Sequence, residues 1–376
     1  MSLIIGLFTQ VLSTGGVQRA GRHAAAVTSA FAAERGFSCR FLSLNDPQGL
    51  HSVRVGSSEF SVTGHARDKA QFILAALRSA GRDPVLVIAL HPHLAPIIWA
   101  MRMRTRKFRS VIFAHGVEVW QPLTWMRRRA LRQADLVIGP SEDTVRHLTS
   151  TQGISAERVQ RLPWGLDPEF EARLAAGVQS PLPAGFPREG QIILTVGRWD
   201  PAERYKGADT LISALPRVLQ KAPDTQLVLV GDGADRPRIE QLARDLGVCA
   251  HTHFLPGLTQ DELFASYSAC TAFALPSKGE GFGLVFLEAM AHGKPVIGGA
   301  HGGTPDVIEE GVTGWLVPHG DVERLSGAIE SLLADPAKSA EMGAQGRARV
   351  QRLFSFQQFQ ARLAEVLDDV LLRKRS

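Results

Sequence analysis

The sequence predicts an α/β protein built from two doubly wound domains, and three observations lead there. The chain has 376 residues, more than one core organises at about 150 residues per domain. Short apolar runs alternate with helical patterns along its length, which is how βα units around a parallel sheet read. A Pro- and Gly-rich stretch, LPAGFPREGQ (182–191), interrupts that alternation near the middle, as a domain boundary does. The domains are set accordingly at 1–168 and 191–354. Residues 169–190 are expected to form a linker, and 355–376 a C-terminal helix crossing back to the first domain.

In the first domain, strands are expected at 2–8, 37–44, 85–90, 110–114, 135–139 and 159–162, each a short apolar run bounded by turn formers. The first helix is expected over 17–35, with Gly36 as its C-cap, because glycine enters the left-handed region without strain. The second domain restarts the pattern at QIILTVG (191–197), TQLVLVG (225–231), THF (252–254), TAFAL (271–275), KPVI (294–297) and GWLV (314–317). Helical patterns then run from Asp321 to the end, and no internal repeat is visible. Open α/β sheets bind ligands in the crevice beyond the carboxyl ends of their strands. The residues that directly follow each strand, in two domains facing each other, are therefore the candidates for function.

Composition narrows the class. Apolar residues make up 44% and charged residues 21%, as in folded globular chains. Runs such as VLVIAL (85–90) fall far short of the roughly 18 apolar residues a membrane span needs. The opening MSLIIGLFTQ has no basic leader and reads as a strand, not a signal peptide. Cys39, Cys249 and Cys270 are odd in number and lack metal-ligand spacing, which fits a reducing, cytoplasmic setting and no metal site. Charge is uneven. Residues 1–165 carry 21 Lys and Arg against 10 Asp and Glu, and the remainder carries 21 against 27. The excess gathers in RMRTRKFR (102–109) and MRRRALR (126–132), so an anionic partner of the first half is expected.

Several chemistries are excluded. The glycines after the first strand read TGGVQRAG (14–21), which is not G-x-G-x-x-G, and the pair Gly293–Lys294 lacks Walker spacing. No G-x-S-x-G, H-E-x-x-H or D-x-D after an apolar strand occurs, so hydrolase triads and a divalent-metal carboxylate site have no anchor. The basic runs are not interleaved with aromatics and no recognised module is present, which argues against nucleic acid.

The informative segment is PSKGEGFGLVFLEAMAHGKPVI (276–297), which starts directly after a strand. Gly279, Gly281 and Gly283 form a loop whose backbone can approach a ligand, and a helix from Leu284 presents unpaired N–H groups that suit a phosphate. Glu280 sits in the loop and Glu288 in the second turn of the helix, so the pair can accept from hydroxyls on two parts of one elongated ligand. A flexible turn with a surface glutamate is the plainer alternative.

This segment resembles the signature of the retaining glycosyltransferases of family 4, whose GT-B fold sets two Rossmann-like domains around a cleft. The resemblance extends through TVGRWD (195–200), YKG (205–207), LVLVGDG, FLPGLTQDEL and GGTPDVIEEGVTGWLV (302–317). The first half matches more loosely, through the Gly15–Gly16 loop, His115–Gly116 and ADLVIGPSEDT (134–144), and it departs at LPWGLDPEF (162–170), where members often carry Asn in place of Trp164.

The resemblance implies roles. Glu288 would bind the ribose of a nucleotide sugar, Glu280 the transferred sugar, and Arg198 with Lys206 the diphosphate. His115 would contact the donor sugar near the reacting carbon. Gly15 and Gly16 would approach the diphosphate, with a plain tight turn as the alternative. Gly231, Asp232, Gly233 and Leu258 would border the base, although Thr259 with Glu262 also reads as a capping box. Gly281, Phe282, Gly283 and Leu284 would line the donor. Arg198, Lys206, Glu280 and His115 are the expected catalytic groups, with neither metal nor cofactor. The implied activity is transfer of a hexose-type sugar from a nucleoside diphosphate sugar to a glycan, glycolipid or lipid-linked acceptor in envelope or exopolysaccharide synthesis. Trp120, Trp125 and Met126 beside the second basic run add the expectation of contact with an anionic membrane surface. A nucleotide-sugar epimerase of the same fold and a catalytically silent partner subunit are the alternatives.

Overall fold

The computed structural model describes residues 2–372. They form two compact units: one comprises residues up to Glu169 together with those from Ser355 on, the other Phe170–Phe354.

The strands of the first unit are β1 (Leu3–Phe8), β2 (Ser38–Ser43), β3 (Gly49–Val55), β4 (Ser58–Gly64), β5 (Pro84–Ala89), β6 (Arg109–Phe113), β7 (Leu136–Gly139) and β8 (Val159–Arg161). They make one sheet in the order β3-β4-β2-β1-β5-β6-β7-β8. Every neighbouring pair is parallel except the hairpin β3–β4. The helices are α1 (Gly16–Glu34), α2 (Lys69–Ala80), α3 (Ala95–Arg104), α4 (Trp125–Leu131) and α5 (Glu142–Ser150). In the second unit come α6 (Pro168–Ala175, straddling the division), α7 (Ala208–Lys221), α8 (Arg236–Asp245), α9 (Gln260–Ala269), α10 (Leu284–Ala291), α11 (Thr304–Val307), α12 (Val322–Ala334) and α13 (Pro336–Arg349). The last helix, α14 (Phe356–Leu372), packs on α1, where Arg35 Nε donates to Asp368 at 2.9 Å. The helical pattern expected to the chain end has its last four positions outside the described residues.

The second unit holds β9 (Gln191–Val196), β10 (Thr225–Val230), β11 (Thr252–Leu255), β12 (Ala272–Leu275), β13 (Val296–Gly299) and β14 (Gly314–Val317), all parallel, in the order β11-β10-β9-β12-β13-β14. The strand order reverses between β9 and β12 here and between β1 and β5 in the first unit. Such switch points open the crevice in which doubly wound sheets bind ligands. Each sheet is buried by helices: Ile5, Val87 and Ile112 pack with Phe72 and Ile98 in one core, and Ile193, Leu229 and Ile297 with Leu211 and Leu325 in the other.

The structure differs from the sequence reading at two places. The hairpin β3–β4 was not foreseen; its alternation buries Val53, Val55, Phe60 and Val62 and exposes the residues between. The first helix ends at Glu34 and Arg35 is its cap, while Gly36 lies one position beyond with φ 68°. Gly36 N–H bonds Ala33 O and Phe37 N–H bonds Ala32 O at 2.8 Å, which closes the helix as a Schellman turn. The stretch expected as a linker, 169–190, opens with most of α6.

Candidate active site

In the second unit the site residues gather at the switch point. Past β9, Asp200 accepts from Ala202 N–H and starts a tight turn, Pro201–Lys206. Lys206 Nζ lies 3.0 Å from Glu203 Oε2, and Arg198 pairs with the other oxygen of the same carboxylate. Arg198 is largely exposed, whereas Lys206 is mostly buried. Burial lowers the Lys206 pKa, with Arg198 acting the same way and Glu280 against it. Gly207 then opens α7 at φ 82°, and a Cβ there would stand 2.6 Å from Pro276 O. Glycine is required for that approach, which brings the loop after β9 against the loop after β12. Lys278 N–H seals the contact by donating to Tyr205 O at 2.7 Å.

The loop after β12 is held from its other side by Gly303 N–H, which donates to Glu280 O at 2.6 Å. Glu280 Oε1 is shielded from solvent and has no hydrogen-bond partner among the described residues. Burial pushes this carboxyl up from its ordinary range, and the Lys206 charge opposes the rise. An unpartnered carboxylate oxygen at a ligand crevice is an acceptor waiting for a donor. Of the three loop glycines, Gly283 takes a left-handed φ of 96° and begins α10, whose N-terminus no side chain caps. Phe282 is buried edge-on against Phe354, so it offers a ligand its backbone and not its ring. Gly281 and Leu284 are partly exposed on either side. Glu288 is 2% exposed, and its Oε2 accepts from Tyr267 OH at 2.7 Å. Tyr267 is itself fully buried, with His292 stacked on it.

Gly231 and Gly233 are needed for packing. A Cβ on either would fall within 2 Å of the Gly197 or Trp199 carbonyl oxygen, and Trp199 N–H donates to Asp232 O. Asp232 Oδ2 accepts from Gly257 N–H at 2.7 Å, beside the half-buried Leu258. Thr259 and Glu262 form a complete capping box on α9.

In the first unit, Gly15 and Gly16 are exposed at the uncapped N-terminus of α1, with Gly15 at φ 137°. Buried Asp46 shapes the preceding loop by accepting from Val11 N–H at 2.7 Å, Leu12 N–H at 3.1 Å and Ser43 Oγ. His115 lies two residues past the end of β6, is 7% exposed, and sets its Nε2 2.8 Å from Leu90 O. Trp164 stacks on it at 5.5 Å and 15°, and also contacts Phe113 and Phe359. Two further histidines, His91 and His93, follow β5 directly.

Sequence reasoning missed Glu203, Tyr267, Asp46, His91 and His93. The motif HPH at the end of VLVIAL was the signal available for the last two, since it follows a strand at the switch point. The basic runs are less free than their composition suggests. Asp135 pairs with Arg102 and Arg109, and Lys107 reaches Asp83. Trp120 is partly buried beside His147, while Trp125 and Met126 are exposed. Among the described residues no cluster of His, Cys, Asp or Glu could hold a metal ion, and no helix is long and apolar enough to cross a membrane.

Comparison with known proteins gives concordant results. The pattern of glycosyl transferases group 1 matches residues 183–349, and that of glycosyltransferase family 4 matches residues 16–170. A GDP-mannose-dependent α-(1-6)-phosphatidylinositol monomannoside mannosyltransferase of Mycolicibacterium smegmatis is 35% identical over 275 residues, 69% of this chain and 70% of the relative. A GDP-mannose-dependent monoacylated α-(1-6)-phosphatidylinositol monomannoside mannosyltransferase of Corynebacterium glutamicum is 34% identical over 278 residues, with 69% and 70% covered. Among solved structures, the sucrose-phosphate synthase of Thermosynechococcus elongatus superposes with a TM-score of 0.78 at 25% identity, covering 98% of both chains.

Proposed function

The chain belongs to the retaining GT-B glycosyltransferases of family 4, and on that premise we propose that it moves a mannosyl unit from GDP-mannose to a hydroxyl of a glycolipid. The observation that carries the reading is the meeting of Arg198, Lys206 and Glu280 at the β9/β12 switch point. A departing nucleoside diphosphate gains negative charge in the transition state, and fixed cations stabilise it without reorganising. Glu203 holds both cations in the free protein, so they are placed before the ligand arrives. The uncapped start of α10 adds N–H groups for the phosphates. Glu288, steadied by Tyr267, accepts from the ribose, and the orphaned oxygen of Glu280 accepts from the hexose. Retention then proceeds by front-face attack, with the leaving phosphate oxygen taking the proton of the acceptor hydroxyl. The choice of GDP-mannose and of a glycolipid follows the activities of the mycobacterial and corynebacterial relatives.

Thermal unfolding in a panel of nucleotide sugars tests the donor. A ligand that binds only the folded state adds RT ln(1 + [L]/Kd), about 2.7 kcal/mol at 100 times Kd. GDP-mannose is expected to raise Tm most, with GDP alone giving a smaller rise, in EDTA as well as without it. Stabilisation by UDP-sugars alone, or only with a divalent cation present, counts against the proposal.

The surface of α4 supports an acceptor held at a membrane. Trp125 and Met126 are 68% and 53% exposed, and Arg127, Arg128 and Arg129 follow them in the same helix. Basic residues near anionic lipid contribute about 1 kcal/mol each, and the aromatic neighbour can enter the interface. Co-sedimentation with vesicles is expected to require anionic lipid, to weaken with salt, and to fall when Arg128 and Arg129 become Ser. Equal binding to neutral vesicles, or none to either kind, leaves a water-soluble acceptor as the reading.

A further inference from the structure

Glu203 holds Arg198 and Lys206 from within their own turn, and a second set of charges holds that turn from outside. Asp235, in the loop after β10, is 3% exposed and accepts from two guanidinium groups. Arg204, two residues before Lys206, donates from Nε at 3.1 Å to Oδ1 and 3.2 Å to Oδ2, and from Nη2 at 2.7 Å to Oδ1. Arg238, in the first turn of α8, donates from Nε to Asp235 Oδ1 at 2.9 Å. It also grips both oxygens of Asp209, in the first turn of α7, at 2.8 and 2.9 Å. The bond from Arg238, with that from Arg204 and against the effect of burial, holds the Asp235 carboxyl down to about 2. Two cations therefore share one buried anion. The backbone fixes the anion too, because Asp235 N–H donates to Trp199 O at 2.9 Å. The turn needs such a hold: Glu203 leaves the helical region at φ −115° and ψ 18°, so no regular helix stiffens the segment. The cluster packs directly on the cation site, for Glu203, Arg204, Lys206, Asp235 and Arg238 line one gap of about 10 Å³, room for no more than one water.

We propose that Asp235 and Arg204 are positioning residues for the transfer: Asp235, gripping the turn 201–206 through Arg204, sets Lys206 and Glu203 where the departing diphosphate needs a cation. A buried ion cluster need not stabilise a fold more than apolar packing does. What these bonds do is fix the turn against β10 and α7, and a transition-state stabiliser works only if it is placed beforehand. Neither side chain has to touch the ligand. The effect on turnover rests on the transferase reading above, but the hold on Lys206 does not.

The test uses the full chain with ¹³C-labelled lysine, as wild type, Asp235→Asn, Arg204→Ala and Arg204→Lys. Arg204 is 52% exposed, so its removal leaves a folded protein to measure even where Asp235→Asn does not. The Lys206 Cε signal, identified by its loss in Lys206→Ala, should titrate below the ordinary lysine range in the wild type, because the amine is buried. Asp235→Asn deletes a negative charge, which by charge alone would move that titration further down. Loosening of the turn exposes the amine, so the expected shift in Asp235→Asn is upward. With GDP-mannose, Asp235→Asn and Arg204→Ala should each lower kcat by up to roughly 10²-fold, the scale of a group displaced by about 1 Å, with KM for the acceptor unchanged. Arg204→Lys keeps the charge without the fork and should recover part of the loss. Joined to Lys206→Ala, either change should cost much less than it does alone, since groups acting through one another do not add. A Lys206 titration that stays or falls in Asp235→Asn, or losses that multiply in full with that of Lys206→Ala, overturns the proposal. A Lys206 signal that moves as expected in a protein that turns over no GDP-mannose counts against the transferase reading alone.

Discussion

Removal of either cation after β9, by Arg198→Ala or Lys206→Ala, is expected to lower turnover by roughly 10²–10³, about 3–4 kcal/mol, the scale for deleting one preorganised transition-state stabiliser. The two losses should not add, because Glu203 couples both side chains and groups sharing one partner interact. Glu203→Gln separates holding from charge: it keeps both cations but removes the carboxylate that holds them, so GDP should bind at least as tightly while turnover falls from looser positioning. Single-turnover kinetics with GDP-mannose reads the first effect, and a loss confined to KM, with kcat unchanged, contradicts it.

The second large effect separates the two glutamates. Glu288→Ala is expected to weaken GDP and GDP-mannose binding alike, since ribose is common to both, and Tyr267→Phe should give a smaller loss of the same kind. Glu280→Gln is expected to impair turnover more than GDP binding. It should also change stability in a pH-dependent way. Burial raises the Glu280 pKa in the folded protein, so the folded state holds that proton more tightly than the unfolded chain does. Stability from this group is full below the unfolded carboxylate range and is lost as pH rises through the folded value. Glu280→Gln cannot ionise, so its Tm should exceed that of the wild type at pH 7 and match it below about pH 4. A lower Tm than wild type at pH 7 would mean that Glu280 supports the fold as an anion.

Much of this was legible because buried parallel strands are written as continuous apolar runs. QIILTV, TQLVLV and AFAL appear where β9, β10 and β12 stand, and the rule that ligands bind beyond strand ends then pointed to the loop of Glu280, while Arg198 was singled out by the family resemblance. The hairpin β3–β4 escaped the same reading because it lies at the sheet edge, where alternate residues face water and GLHSVRV contains no apolar run. Gly231 and Gly233 were expected beside the base, yet their demand for glycine is met by the backbone of β9's loop. Partners were the hardest to see. Tyr267 is 21 positions from Glu288, and Asp46 is 35 from Val11, and nothing local in the sequence connects either pair. Glu203 lies three residues before Lys206 and could have been paired with it by spacing. Its hold on Arg198 comes from the turn that Asp200 starts.

The most direct test of the central claim is to incubate the protein with GDP-mannose and a phosphatidylinositol mannoside acceptor, and to follow GDP release and the anomeric signal of the product by NMR. One GDP should appear per mannosyl transferred, the new linkage should be α like the donor, and both signals should vanish in Arg198→Ala. A β-linked product, or mannosyl transfer that survives in Arg198→Ala at the wild-type rate, would contradict the account.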